Sequence, residues 1–143
     1  MSFNIKNLSE ALKGLDIEEK NIEMAAKYAI GKVGIAVENQ AKRNAKTGVH
    51  KVGEPRVPGS GPGPNYVTGN LFRNINSEVR VGFGSYVAIV SSNAEYARAV
   101  EFGSSRWKSG VKYPYMVPAV TKLKNDGTLT RVLTTAFRSK MRG

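Results

Sequence analysis

The chain has 143 residues, no cysteine, and 22 Lys and Arg against 11 Asp and Glu, giving a formal charge of +11 at pH 7. A disulfide framework and every thiolate-ligated zinc or iron–sulfur site are thereby excluded, and a chain of this length can bury one core without either aid. So large a basic excess bears on partners rather than on fold, and it predicts a polyanion or an acidic protein face nearby.

Residues 7–14 read as one or two helical turns closed by Gly14, with Leu8, Leu12 and Leu15 offered to some surface. The main helix is predicted over 17–45. Asp16 with Glu19 forms an aspartate variant of the capping box, and Glu18, Glu19 and Glu23 crowd the first turns, where the macrodipole favours negative charge. Ile22, Ala25, Ala26, Ala29, Val33, Ala36, Val37, Gln40 and Ala41 recur at helical spacing. The small residues on that stripe predict close approach to a sheet or another helix. Residues 1–41 hold five basic and six acidic side chains, so all the net positive charge lies after residue 41.

Residues 46–65 have neither helical nor strand periodicity and are dense in Gly, Pro and cations, His50, Lys51 and Arg56 among them. Structureless stretches of ~20 residues inside compact domains are uncommon and tend to be functional or disordered. The segment is read as an arm that orders against a neighbour, with a short hairpin allowed by the alternation of Val49, Lys51, Val52 and Val57. Thr68 is placed as the cap of a short helix over 69–75 whose apolar face is Leu71, Phe72 and Ile75. Two strands follow, 77–83 and 86–91, joined by the tight-turn signal Gly84-Ser85.

A helix over 95–102 is predicted with Tyr96, Ala99, Val100 and Phe102 largely on its apolar face and Glu95, Arg98 and Glu101 off it. Gly103 supplies the left-handed exit. A basic loop leads to Tyr113, Pro114 and Tyr115, an extended entry to a helix starting near Pro118. Asn125-Asp126-Gly127 breaks the chain, and the closing helix from 128 to 141 puts Leu129, Val132, Leu133, Ala136, Phe137 and Met141 on one face, with Arg131, Arg138, Lys140 and Arg142 around it. The fold class predicted is α+β in one domain: a small, mainly antiparallel sheet packed on the long N-terminal helix, with short flanking helices and the Gly/Pro-rich arm. The chain start lacks the charged-then-apolar pattern of a secretory signal, and no apolar stretch reaches the ~20 residues of a span. A soluble chain with no membrane partner, kept in a reducing cytoplasm, is expected.

Catalysis of the Ser-His-acid type would have to use His50, the single histidine, from inside the irregular segment, a poor place for a precise base. The run from Gly59 to Gly63 lacks the closing Gly-Lys-Ser/Thr and a preceding strand, and its Pro62 removes an amide donor, so it is not a phosphate-cradling loop. Glu95 and Glu101 flank Arg98 and read as a solvated or intersubunit ion pair. No enzyme activity, metal or cofactor is expected. Binding chemistry remains: Arg106, Trp107, Lys108, Lys112 and Tyr113 interleave cations with aromatics, which suits phosphate contacts and stacking, and equally a protein interface.

The order Tyr96-Ala97-Arg98, Val100-Glu101-Phe102-Gly103, a basic loop, Pro114 and Pro118-Ala119, preceded by Thr68-Gly69-Asn70-Leu71 and Asn74-Ile75, resembles the neck or tail-completion proteins at the head-to-tail joint of long-tailed bacteriophages. The resemblance implies a structural virion protein, assembled in the host cytoplasm as a homo-oligomeric ring. Its partners would be connector or head-closure proteins on one side and tail-terminator or tail-tube proteins on the other, with genomic DNA passing through the lumen. The interface positions expected are His50, Lys51, Arg56, Arg98, Glu101, Arg106, Trp107, Lys108, Lys112, Tyr113 and Tyr115, facing protein or DNA. The other reading is a basic nucleic-acid-binding module in which the 106–112 loop and the C-terminal cations hold phosphates.

Overall fold

A computed structural model of the chain describes residues 2–6, 19–46, 69–82, 84–105 and 112–143. The turns over 7–14, the Asp16 cap, the arm beyond Lys46, and Arg106, Trp107 and Lys108 lie outside the described residues. The elements in order are β1 (Ser2–Lys6), α1 (Glu19–Asn44), α2 (Asn70–Arg73), β2 (Ile75–Gly82), β3 (Ser85–Ser92), α3 (Ala97–Phe102), α4 (Met116–Asn125) and α5 (Thr128–Arg142). The class is α+β, as expected.

β2 and β3 form an antiparallel hairpin in register from Ile75 opposite Ser92 to Gly82 opposite Ser85. Gly84 turns the chain at φ 64, a left-handed value that two-residue hairpins require and glycine adopts without steric cost. A third strand escaped the sequence reading. β1 pairs antiparallel with β3, Ser2 opposite Ile89 through Lys6 opposite Ser85, so the order is β1-β3-β2. The polar side of β2 carries Glu78 and Arg80, two residues apart and therefore on one face, paired at 2.8 Å.

α1 is the hub, packing on β2, β3, α4 and α5. Its predicted stripe is buried from Ile22 through Ala25, Ala26, Ala29, Val33, Val37 and Gln40 to Ala41, with Ala36 half-buried, and Ile30 joins it. Small side chains make the approach close. A Cβ placed on Gly34 would sit 3.3 Å from the Ala88 Cβ and 3.4 Å from the Ser77 Cβ, whereas one on Gly31 would meet the Val79 Cγ2 at an ordinary 3.5 Å. One core cluster gathers Val37, Ala41, Leu71, Ile75, Val90, Tyr115 and Leu123; a smaller one joins Ile30, Val33 and Ala88, with Val132 and Leu133 of α5 against it. The short helix α2 corrects one expectation. Its N-cap is Gly69 at φ 75 rather than Thr68, and no side chain caps it. Between α4 and α5, Asp126 behaves as the break predicted: its Oδ1 accepts the Thr128 N–H at 2.9 Å, and Gly127 at φ 77 reverses the chain.

A second link ties α1 to the sheet. Ser77 Oγ donates to Glu38 Oε2 at 2.8 Å, and Lys42 Nζ donates to Glu38 Oε1 at 2.6 Å. Burial raises the Glu38 carboxyl pKa, but the bonds from Lys42 and Ser77 outweigh it and hold the group below its ordinary 4.5.

Two outcomes are expected. Gly31→Ala should raise the unfolding free energy by about 0.5–1 kcal/mol through helix propensity, whereas Gly34→Leu should lower it by about 2–3 kcal/mol by overpacking, both read from urea midpoints. Because the Glu38 pKa is depressed on folding, its stabilisation is present above the unfolded value and lost as pH falls through the folded one. The stability difference between wild type and Glu38→Gln should therefore be full at neutral pH and shrink on acidification; a constant difference would contradict the assignment.

Candidate interaction surface

α3 has six residues, of which Ala97, Val100 and Glu101 are buried. At about 100° per residue these three share one arc, and Phe102 falls roughly 150° from its middle. The side chains follow that geometry. Phe102 is 67% exposed and Tyr96 42%, while Glu101 is 5% exposed. The expectation of a Tyr96-Val100-Phe102 apolar face is corrected: only Val100 of the three is in the core. Glu101 is neither solvated nor in an ion pair with Arg98 among the described contacts.

A buried carboxylate must be hydrogen-bonded, and Glu101 is placed where donors concentrate. The first N–H groups of an α-helix have no intrahelical partner. In α4 they converge on this one side chain: Glu101 Oε2 accepts from Tyr115 N at 2.7 Å and Met116 N at 2.9 Å, and Oε1 accepts from Val117 N at 2.8 Å. The next residue, Pro118, has no N–H to satisfy. A negative charge at a helix N-terminus is also favoured by the macrodipole. The backbone closes the junction further, since Tyr113 N donates to Val100 O at 2.7 Å. Gly103 leaves α3 at φ 86 and ψ 171, an extended glycine conformation rather than the left-handed helical exit expected.

The clasp drives Tyr115 inward. It is 1% exposed, in the core beside Val37, Leu71 and Ile75, which corrects its expected place at an interface. Its carbonyl accepts from Asn44 Nδ2 at 3.1 Å, and Asn44 Oδ1 accepts from Gln40 Nε2 at 2.9 Å. Burial pushes the Tyr115 hydroxyl up to about 12, with the charges of Glu101 and Tyr96 adding to the rise and a bond to the Ser92 side chain opposing it.

Around the clasp lies an open groove of about 400 Å³ whose rim carries Arg98, Phe102 and Val117, the last 47% exposed. Of the other expected interface residues, Lys112 is exposed and Tyr113 half-buried; His50, Lys51, Arg56, Arg106, Trp107 and Lys108 lie outside the described residues. Arg131, Arg138, Lys140 and Arg142 are exposed along α5. The exposed trio Tyr96, Phe102 and Val117 was missed by the sequence reading. The signal that could have found Phe102 was the helical angle itself, which separates it from Val100.

The described residues hold no group of three His, Cys, Asp or Glu able to bind a metal, and no described helix is long and apolar enough to cross a membrane. The comparison by family gives this scaffold its class, a structural component of a bacteriophage tail. The HK97-gp10-like family, bacteriophage tail components, matches residues 4–103, and the chain belongs to it. The match includes the segments over 68–75 and 96–103 on which the resemblance rests, while Pro114 and Pro118-Ala119 lie beyond it. No curated protein and no solved structure matches the chain.

Removing the carboxylate leaves three buried or half-buried N–H groups without a partner. Glu101→Ala should cost about 3–4 kcal/mol in urea unfolding at unchanged m, and Glu101→Gln, which keeps one acceptor, roughly half as much. A loss under about 0.5 kcal/mol for Glu101→Ala would show the clasp to be dispensable.

Proposed function

We propose that this protein is a ring-forming subunit of the phage head-to-tail connector, a neck or tail-completion protein that joins the DNA-filled capsid to the tail. Membership of a tail-component family supports a structural role in the virion. The observation that carries the finer reading is Phe102: a large aromatic, 67% exposed, on a helix held rigidly by the Glu101 clasp. Rigid exposed aromatics favour interfaces, because they bury much area at small entropic cost. With Val117 on the rim of the same groove it offers an exposed apolar patch; contacts of one patch with a different patch on the next copy generate rings.

In this reading the 46–65 arm, with His50, Lys51 and Arg56, reaches a neighbouring protein. The loop cations Arg106, Lys108 and Lys112, together with Trp107, face adjacent rings. Tight phosphate binding along an exit channel would hinder DNA that must slide through it, so most of the +11 charge faces protein, and only a minority of the cations lies near the lumen. The nucleic-acid-binding alternative predicts the reverse, with duplex DNA as the partner that the loop and α5 cations hold.

Phe102→Ala should leave unfolding free energy within about 0.5 kcal/mol of wild type, as expected of an exposed site. The same variant should abolish concentration-dependent assembly in sedimentation without nucleic acid and prevent joining of heads to tails in complementation. Normal assembly by the variant, or assembly only when DNA is added, would overturn the reading.

A further inference from the structure

α1 carries a second stripe besides its buried one. Met24, Tyr28, Gly31 and Ile35 recur at i, i+4, i+7 and i+11, the spacing with which one helix faces another. Met24 is 49% exposed, Tyr28 40% and Ile35 45%, so the stripe lies open among the described residues. Its middle position is glycine, and the surface dips there. The result is a groove of about 540 Å³ with Val79 of β2 as part of its wall and Lys27, Lys32 and Lys140 among its lining. Three turns of helix, about 16 Å, run along its floor.

The charge on this groove has one sign. No carboxylate lines it among the described residues, and three lysines do. Two of them are fixed by the same ring: Lys32 Nζ stands 5.2 Å and Lys140 Nζ 5.5 Å from the Tyr28 ring centroid, within cation–π range. Tyr28 thus holds ammonium groups from α1 and α5 over an apolar floor. Like charges so gathered are relieved by carboxylates brought from outside. A second copy brings the wrong charge, because its own exposed apolar patch carries Phe102 and Val117 beside Arg98, and each copy has a net +11. Nucleic acid fits the lysines but not the floor, where Met24, Tyr28 and Ile35 would desolvate phosphates without bonding them.

We propose that this groove docks an acidic amphipathic helix of a partner protein, its apolar residues seated between Tyr28 and Ile35 and its flanking carboxylates on Lys27, Lys32 and Lys140. The mode is the helix-in-groove one, in which apolar side chains anchor and rim charges orient. The contact is separate from the Phe102 patch and does not depend on the ring.

The test uses the full chain and two labelled three-turn helical peptides with leucine at i, i+4, i+7 and i+11, one flanked by glutamates and the other by lysines, followed by fluorescence anisotropy. The glutamate peptide should bind at least about tenfold more tightly than the lysine peptide, with an advantage that shrinks as salt rises. Ile35→Asp should abolish its binding, and the triple change Lys27→Glu, Lys32→Glu and Lys140→Glu should invert the preference. Should Ile35→Asp perturb folding by circular dichroism, Tyr28→Ser, which removes both the anchor and the ring under the lysines, serves in its place. Failure to bind the glutamate peptide, or equal binding of both, would overturn the proposal. Self-association abolished by Ile35→Asp would assign the groove to a second copy instead, and duplex DNA binding that survives Ile35→Asp but not the lysine changes would assign it to nucleic acid.

Discussion

One carboxylate organises the second half of this fold. Glu101 accepts the N–H groups of Tyr115, Met116 and Val117, and so joins the end of one helix to the start of the next. The arrangement answers two problems of physical chemistry at once. A buried charge needs hydrogen bonds, and a buried helix start needs acceptors. Once the clasp is made, Tyr115 can enter only the core, where its carbonyl meets Asn44 at the far end of the long helix. The final two helices are thereby anchored at the side of α1, and Leu123, Val132 and Leu133 complete the two core clusters.

The same constraint fixes what faces outward. With Val100 and Glu101 committed to the interior, Phe102 has to leave on the opposite side of a six-residue helix. Val117, whose N–H is held by the carboxylate, projects beside it. Apolar exposure here follows from rigid local bonding, which is how a scaffold offers a contact surface at little entropic cost. The long helix offers a second surface, also basic, through Tyr28 and its two lysines. Membership of a tail-component family gives these exposed side chains their setting among other virion proteins.

By itself the sequence determined whatever depends on local repetition. The stripe from Ile22 to Ala41 specifies a buried helix, alternation and Gly84 specify the hairpin, and Asn125-Asp126-Gly127 specifies the last break. These signals survive because neighbouring residues create them, and the order of short segments around Tyr96-Ala97-Arg98 carried the family likeness for the same reason. Tertiary structure decided the rest. Glu101 reads as a solvent-exposed acid until a helix start fourteen residues later supplies its donors, and Tyr115 reads as an interface aromatic until that bond pulls it inside. The strand Ser2–Lys6 has no partner nearby in sequence and forms only because β3 has a free edge. Hydrogen-bond satisfaction and strand pairing are long-range demands, met by whichever groups the chain brings together, and no local pattern of residue types records them.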